Sequence, residues 1–177
     1  PESPSEEILK KFSSYADIKI DNIVVCILDR PRHKDLIQKV RSTGARIKLI
    51  SDGDVSAVIA TSIEDSGVDI YMGTGGSPEG VLAAAALRCV GGQIYTKLVF
   101  DNEEQIERAK TMGILDPKKI YETQDLAKGD VMFSATGVTD GTFLKGVLIK
   151  NKIAKTHSVV MRSKTKTLRY IHADHDL

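Results

Sequence analysis

The feature that most constrains the fold is an apolar, β-branched run followed by an amphipathic helix, a pattern found three times in the first half of the chain. The first run, 22–28, reads Asn-Ile-Val-Val-Cys-Ile-Leu and is typical of a strand buried on both faces. Further strands are predicted at 46–51 and 68–72. This alternation predicts an α/β fold with a mainly parallel sheet core and flanking helices.

The other elements follow from periodicity and from residues that end helices. Helices are predicted from residue 5, at 33–41, from 53 onward, at 77–90 and at 102–112. Strands are predicted at 93–100 and 131–135, and an antiparallel tail at 146–149, 155–162 and 165–171. At 177 residues we expect a single domain over 1–177, with 1–5 as a linker remnant.

Composition excludes several classes of protein. A formal charge of +1 and 41% hydrophobic residues are ordinary for a soluble globular chain, without the basic field of a nucleic-acid or membrane-surface protein. Cys26 and Cys89 lie within apolar runs and predict buried free thiols rather than a disulfide. The chain starts at Pro1 without a signal peptide, and we interpret it as a processed or truncated product.

Two arginines follow the first predicted strand. Pro31 restricts the backbone between Arg30 and Arg32, and guanidinium groups suit bidentate binding of phosphate. Cations at the start of the next helix oppose its dipole, a small cost that a bound anion would remove. A solvated charged turn is the alternative, and the residues alone leave the two interpretations even.

Carboxylates follow the second predicted strand. Asp52 and Asp54 flank Gly53, and a carboxylate at a helix start is most often a cap. Two of them separated by glycine could instead bind sugar hydroxyls or hold a cation.

Residues 73–80, Gly-Thr-Gly-Gly-Ser-Pro-Glu-Gly, follow the third predicted strand. The glycines allow backbone N–H groups to approach a ligand, but Pro78 stands where a dinucleotide fingerprint has its third glycine. Glu79 is either a first-turn carboxylate favoured by the helix dipole or a metal ligand. One carboxylate cannot form a metal site by itself, because Mg²⁺ and Mn²⁺ take several oxygen ligands.

Elsewhere the signals are weak. Thr136 and Gly137 at a strand end could line a site, although a turn is the simpler interpretation. The four histidines have no metal-ligand spacing: His33, His157, His172 and His175.

Taken together, these segments resemble the class II, GlpX-type fructose-1,6-bisphosphatases. The matching segments are Asp-Arg-Pro-Arg-His at 29–33, Ile-Ser-Asp-Gly-Asp-Val at 50–55, Met-Gly-Thr-Gly-Gly-Ser-Pro-Glu-Gly-Val at 72–81, Lys-Thr-Met-Gly-Ile at 110–114, Phe-Ser-Ala-Thr-Gly-Val-Thr-Asp-Gly at 133–141 and Thr-Lys-Thr-Leu-Arg at 165–169. They extend over nearly the whole chain.

The resemblance implies a fold like that of the lithium-sensitive sugar phosphatases. It implies hydrolysis of the 1-phosphate of fructose 1,6-bisphosphate in gluconeogenesis, with Mn²⁺ or Mg²⁺, by a cytoplasmic enzyme that is a homo-oligomer when intact. Some relatives also take sedoheptulose 1,7-bisphosphate. The implied substrate-binding residues are Arg30, Pro31, Arg32, Asp52, Gly53, Asp54 and Gly76, and the implied metal ligand is Glu79.

The chain also departs from the family pattern. The other metal-binding carboxylates of the family lie in Gly-Glu-Gly-Glu and Asp-Pro-Ile-Glu-Gly-type segments of an amino-terminal half, and neither segment occurs here. We therefore interpret the chain as the carboxyl-terminal half, inactive alone, with the amino-terminal half as its missing partner. Two alternatives stay open: a sugar-bisphosphate binding or regulatory module that needs no metal, and a subunit that completes its site with a separate amino-terminal chain.

Overall fold

A three-stranded parallel sheet forms the first half of the fold. The computed structural model describes residues 4–141 and 143–177. The sheet contains β1 (Val24–Leu28), β2 (Arg46–Ile50) and β3 (Ile70–Tyr71) in the order β2-β1-β3, and both pairs are parallel. This confirms the predicted parallel core, with each strand shorter than predicted.

Six helices connect and cover the strands in the described part of the chain. They are α1 (Ser5–Ala16), α2 (Lys34–Ser42), α3 (Asp54–Ala60), α4 (Ser77–Val90), α5 (Glu103–Thr111) and α6 (Thr123–Leu126). The bounds of α4 are those predicted, because Pro78 favours the first turn and Gly91 ends the helix at φ +85°.

The predicted start of the first helix at residue 5 is confirmed. Pro4 occupies the N-cap position and makes no side-chain hydrogen bond, and Ser5 is already the first helical residue. The predicted linker therefore overlaps the helix by one residue, and residues 1–3 lie outside the described part.

The second half is antiparallel, as predicted. A small sheet pairs β4 (Tyr95–Lys97) with β5 (Ile120–Glu122), and β5 and α6 were not predicted because such short segments show no clear periodicity. In the larger sheet, β8 (Ile153–Arg162) pairs with β6 (Met132–Thr136) and β7 (Leu148–Lys150) on one side and with β9 (Thr167–Asp176) on the other. β9 extends further than the predicted strand at 165–171, because all of its residues pair with β8.

The elements pack in four layers: α1 with α2, the parallel sheet, α3 with α4, and the larger antiparallel sheet. Val25 and Ile27 of β1 pack with α1 and α2, whereas Cys26 faces α3. Ile59 of α3 packs together with α4 against the antiparallel sheet, where Val159 and other side chains complete the cluster. Both faces of β1 are thus covered by helices, which explains its uninterrupted apolar sequence.

Candidate functional site

Three loops lie side by side at the carboxyl edge of the parallel sheet. Leu28 at the end of β1 is paired with Ile50 at the end of β2, and Cys26 is paired with Tyr71 at the end of β3. Because parallel strands end at the same edge, the segments that follow them meet there. The three junctions singled out in the sequence are therefore neighbours in space.

His33 joins the first junction to the third. The side chain is buried, with 2% of its surface exposed. Its Nδ1–H donates to the carbonyl oxygen of Leu28 at 2.8 Å, and the backbone N–H of Thr74 donates to its Nε2, also at 2.8 Å. The imidazole in this arrangement is neutral, with its proton on Nδ1, because Nε2 accepts a hydrogen bond. The sequence did not indicate this role, since only tertiary structure brings Thr74 to His33.

The two arginines of the first junction point to different surroundings. The Nε–H of Arg32 donates to the carbonyl oxygen of Thr74 at 2.8 Å, which fixes it beside the glycine-rich loop, residues 73–76. The Nη1–H of Arg30 donates to the carbonyl oxygen of Asp29 at 3.1 Å. Arg30 also lines a groove of about 340 Å³ against α2, together with Pro31, Lys34 and Arg41.

The guanidinium groups of this junction are available to an anion. Among the ion pairs of the described residues, none involves Arg30 or Arg32, and both side chains are exposed. An exposed cation without a carboxylate partner can bind phosphate without first breaking an ion pair.

The carboxylates of the second junction do not cap α3. Gly53, at φ +77°, is the N-cap residue, and no side chain caps the helix there. Asp54 accepts the neighbouring N–H of Val55 through Oδ1 at 3.0 Å, and its Oδ2 lies 3.1 Å from where a Cβ on Gly75 would be. Asp54 thus faces the glycine-rich loop, whereas Asp52 is exposed. The capping interpretation was wrong for both.

The glycine-rich loop is closely enclosed by these side chains. A Cβ on Gly73 would come within 3.2 Å of the His33 ring. A Cβ on Gly76 would overlap the Oε2 atom of Glu79, which lies in the first turn of α4. The loop therefore lies among His33, Asp54 and Glu79, and its glycines make that approach possible.

Tyr71, which the sequence did not single out, belongs to the same cluster. Its hydroxyl lies 3.4 Å from where a Cβ on Gly73 would be. Burial raises the pKa of Tyr71 to about 12, the negative charges of Asp54 and Cys26 add to the effect, and Arg32 opposes it. The side chain therefore stays a neutral hydrogen-bonding group over the whole physiological pH range.

Thr136 and Gly137 are not brought to this edge by any contact in the described structure. Thr136 Oγ1 is 2.8 Å from Ser158 Oγ, and the N–H of Gly137 donates to the carbonyl oxygen of His157. Thr136 is the last residue of β6 in the antiparallel sheet, and Gly137 is the first residue after that strand.

The described residues do not form a complete metal site. Within 4–141 and 143–177, no group of three or more His, Cys, Asp or Glu side chains could hold an ion. Mg²⁺ and Mn²⁺ take several oxygen ligands, so Glu79 fits one ligand of such an ion and not the whole site. The chemistry of these groups suits an anion and hydroxyl groups, and the described residues do not supply the set of carboxylates that metal-assisted hydrolysis would need.

Comparison with known proteins shows which family the sequence matches. The family described as bacterial fructose-1,6-bisphosphatase, glpX-encoded, matches residues 1–175. The D-fructose 1,6-bisphosphatase class 2/sedoheptulose 1,7-bisphosphatase of Synechococcus elongatus is 42% identical over 96% of this chain and 53% of its own length. The protein of the same name from Trichodesmium erythraeum is 41% identical over the same shares.

The chain spans about half the length of the curated relatives it matches. The family match extends over residues 1–175, a range that includes the three junctions at the sheet edge. The chain therefore belongs to the glpX-encoded family of bacterial fructose-1,6-bisphosphatases.

Proposed function

We propose that this chain supplies the substrate-binding wall and one metal ligand of a metal-dependent bisphosphatase that converts fructose 1,6-bisphosphate into fructose 6-phosphate and phosphate. The observation that supports it most is the meeting of Arg32, Asp54 and Glu79 around one glycine-rich loop. Family membership supports the reaction class, and the names of the relatives give the substrates.

The proposed roles follow the chemistry of each group. Arg30 and Arg32 bind the distal phosphate, and Pro31 holds the turn between them. Asp52 and Asp54 accept hydrogen bonds from sugar hydroxyls, and Gly53 allows the turn that presents them.

The glycine-rich loop and the helix start have separate roles. Gly76 lets the substrate approach the loop, and Glu79 supplies one oxygen ligand to Mn²⁺ or Mg²⁺. The hydrolytic step itself is not assigned to this chain, because the carboxylates of its described residues do not make a complete metal site.

The first test is complementation. The chain is mixed with a second chain that supplies the remainder of a family relative, and release of phosphate from fructose 1,6-bisphosphate is measured with Mn²⁺ or Mg²⁺. We expect activity in the mixture, no activity in either chain alone, and loss of activity with EDTA or with Glu79→Gln. Full activity of the 177-residue chain alone would contradict the proposed division of the site.

The second test addresses the phosphate-binding residues. Arg32→Ala should weaken bisphosphate affinity about tenfold or more, since a hydrogen bond to a charged group contributes about 1.5–3 kcal/mol. Arg46→Ala is the matched control, because Arg46 is an exposed arginine at the opposite end of β2. Equal affinities of the two variants, measured by calorimetry, would remove Arg32 from the site.

Two other functions are separated by the same measurements. Bisphosphate binding that is undiminished in EDTA favours a binding or regulatory module, for which the arginines and backbone donors suffice. Sedoheptulose 1,7-bisphosphate is the alternative substrate, because the relatives carry both names. Competition between the two sugars in the complemented enzyme decides which is preferred.

A further inference from the structure

Two stacked imidazoles lie in the antiparallel sheet, outside the candidate site. His157 of β8 is directly opposite His172 of β9, with ring centroids 4.3 Å apart and 7° between the ring planes. Tyr170 lies against His157 at 5.5 Å between centroids. None of these side chains has a part in the proposed function.

His157 holds the β6–β7 loop, described over residues 137–141 and 143–147, near both of its ends. The backbone N–H of Lys145 donates to Nδ1 of His157 at 3.0 Å, and the N–H of Gly137 donates to its carbonyl oxygen at 3.0 Å. Three other bonds lie within the described part of the loop. They run from Val147 N–H to the Val138 carbonyl, from Gly146 N–H to Asp140 Oδ1 and from Gly141 N–H to the Leu144 carbonyl. Its first residues, Gly-Val-Thr-Asp-Gly, are part of a segment that resembles the family pattern.

The hydrogen bond from Lys145 fixes the protonation of the ring. Because Nδ1 accepts an N–H, it carries a lone pair, and the proton of the neutral imidazole is on Nε2. A second proton on Nδ1 would place two N–H groups against each other and break the bond. The same bond argues against a metal bridging the two imidazoles, because coordination through Nε2 would require the proton on Nδ1 of His157.

The surroundings also oppose the charged ring. Burial lowers the pKa of His157, and the neighbouring His172 and Lys145 lower it further. The groups that face the ring are His172 and Tyr170 from β9 and Lys145 from the loop. The next pair along the two strands, Lys155 with Asp174 at 2.9 Å, is an exposed ion pair with no net charge.

We propose that His157 is an acid-sensitive latch, which holds the β6–β7 loop closed while its imidazole is neutral and releases it when the imidazole is protonated. The unfolded imidazole takes up a proton at its ordinary pKa, and the folded one only at lower pH. Stability is therefore fully present above the ordinary value of 6.5 and falls as the pH decreases from there through the lowered folded value. The midpoint pH of loop opening is expected to follow the lowered pKa that His157 has in the folded protein.

The test is amide hydrogen exchange of the full 177-residue chain, followed by NMR at about pH 7.5 and about pH 5. Protection factors, which correct for the intrinsic pH dependence of exchange, should fall at least about tenfold for the Lys145 amide on acidification. The amides that pair β8 with β9 around Val159 and Tyr170 should keep their protection.

Two asparagine variants separate the latch from a general effect of acid. His157→Asn offers an amide oxygen in place of Nδ1 and does not titrate, so loop protection should no longer depend on pH. His175→Asn is the control, because His175 contacts Thr156 on the same pair of strands and should leave the wild-type pH dependence intact. Equal protection of Lys145 at both pH values in the wild type would overturn the proposal.

A third variant tests the proposal independently of His157→Asn and remains informative if that variant does not fold. His172→Gln removes a like charge beside His157, so the midpoint of loop opening should move to higher pH. An unchanged midpoint in this variant would mean that the stacked pair does not control the loop.

Discussion

At the scale of single residues, His33 links the two loops that carry the candidate site. It donates a hydrogen bond to Leu28, 5 residues before it, and accepts one from Thr74, 41 residues after it. The ring is also almost fully buried, so it contributes packing as well as polar contacts. A charged or smaller side chain would leave a buried donor and acceptor without partners.

We expect His33→Ala to lower the free energy of unfolding by about 2–4 kcal/mol, since it opens a cavity and leaves buried polar groups unpaired. Urea denaturation followed by circular dichroism measures the change. Arg30→Ala, in the same segment but exposed, should change it by less than about 0.5 kcal/mol. Similar values for the two variants would contradict the linking role of His33.

The raised pKa of Tyr71 predicts that the stability of the protein depends on pH in the alkaline range. Its pKa is raised from 10.0 to about 12, so between these values the unfolded tyrosine loses its proton while the folded one keeps it. The contribution of Tyr71 to stability is thus present below pH 10.0 and falls as the pH rises toward about 12. Tyrosinate absorbance of the wild type minus Tyr71→Phe should show this late titration, and a difference curve with an ordinary midpoint would exclude it.

At the scale of elements, the glycine-rich loop and α4 act as a unit. Gly76 has φ −69°, a value open to any residue, so its lack of a side chain matters for the space around it. That space is occupied by the flexible carboxylate of Glu79. Gly80, inside α4, has no neighbour within 4 Å of a built Cβ and offers a matched control.

Gly76→Ala should displace the Glu79 carboxylate and leave the backbone intact. We expect a change of less than about 1 kcal/mol in the free energy of unfolding and a loss of about tenfold or more in activity of the complemented enzyme. Gly80→Ala should instead stabilise the helix by about 0.5–1 kcal/mol and keep activity. If both variants were equally active, Glu79 would not need its present position.

At the scale of the whole molecule, α3 connects the layers. Its Ala57 and Ala60 pack with Cys26 of the parallel sheet, and its Ile59 packs with Cys89 of α4 and the antiparallel sheet. A helix buried on several sides gives the two halves a shared core. The expectation of a single domain therefore has a physical basis, although it stays a prediction, as do the homo-oligomer and the cytoplasmic location. None of the described helices is both long and apolar enough to traverse a lipid bilayer.

The two thiols can test this cooperativity. Cys26 and Cys89 are both buried, and burial raises the pKa of each, so both should react slowly with a thiol reagent in the native protein. If the chain unfolds as one unit, the remaining thiol in Cys26→Ser and in Cys89→Ser should become reactive at the same urea midpoint as the circular dichroism change of the same variant. A thiol midpoint that differs from the circular dichroism midpoint within one variant would indicate two independently unfolding parts.

The sequence by itself determined the strand–helix alternation, the parallel core, the antiparallel tail and the three junctions that meet at the sheet edge. These follow from local patterns, because apolar periodicity and glycine or proline positions act over a few residues. The buried, free state of Cys26 and Cys89 was predicted in the same way and is confirmed. The family resemblance was likewise visible in short segments and is confirmed by the comparisons.

Only the tertiary structure decided which side chains touch. The contacts of His33 and Arg32 with Thr74 and the stacking of His157 on His172 join parts of the chain that are far apart in the sequence. Sequence patterns report burial and local conformation, and they carry no information on the partners of a polar side chain. Those partners are set by how the strands end and pair, which a residue's own neighbours in the chain do not specify.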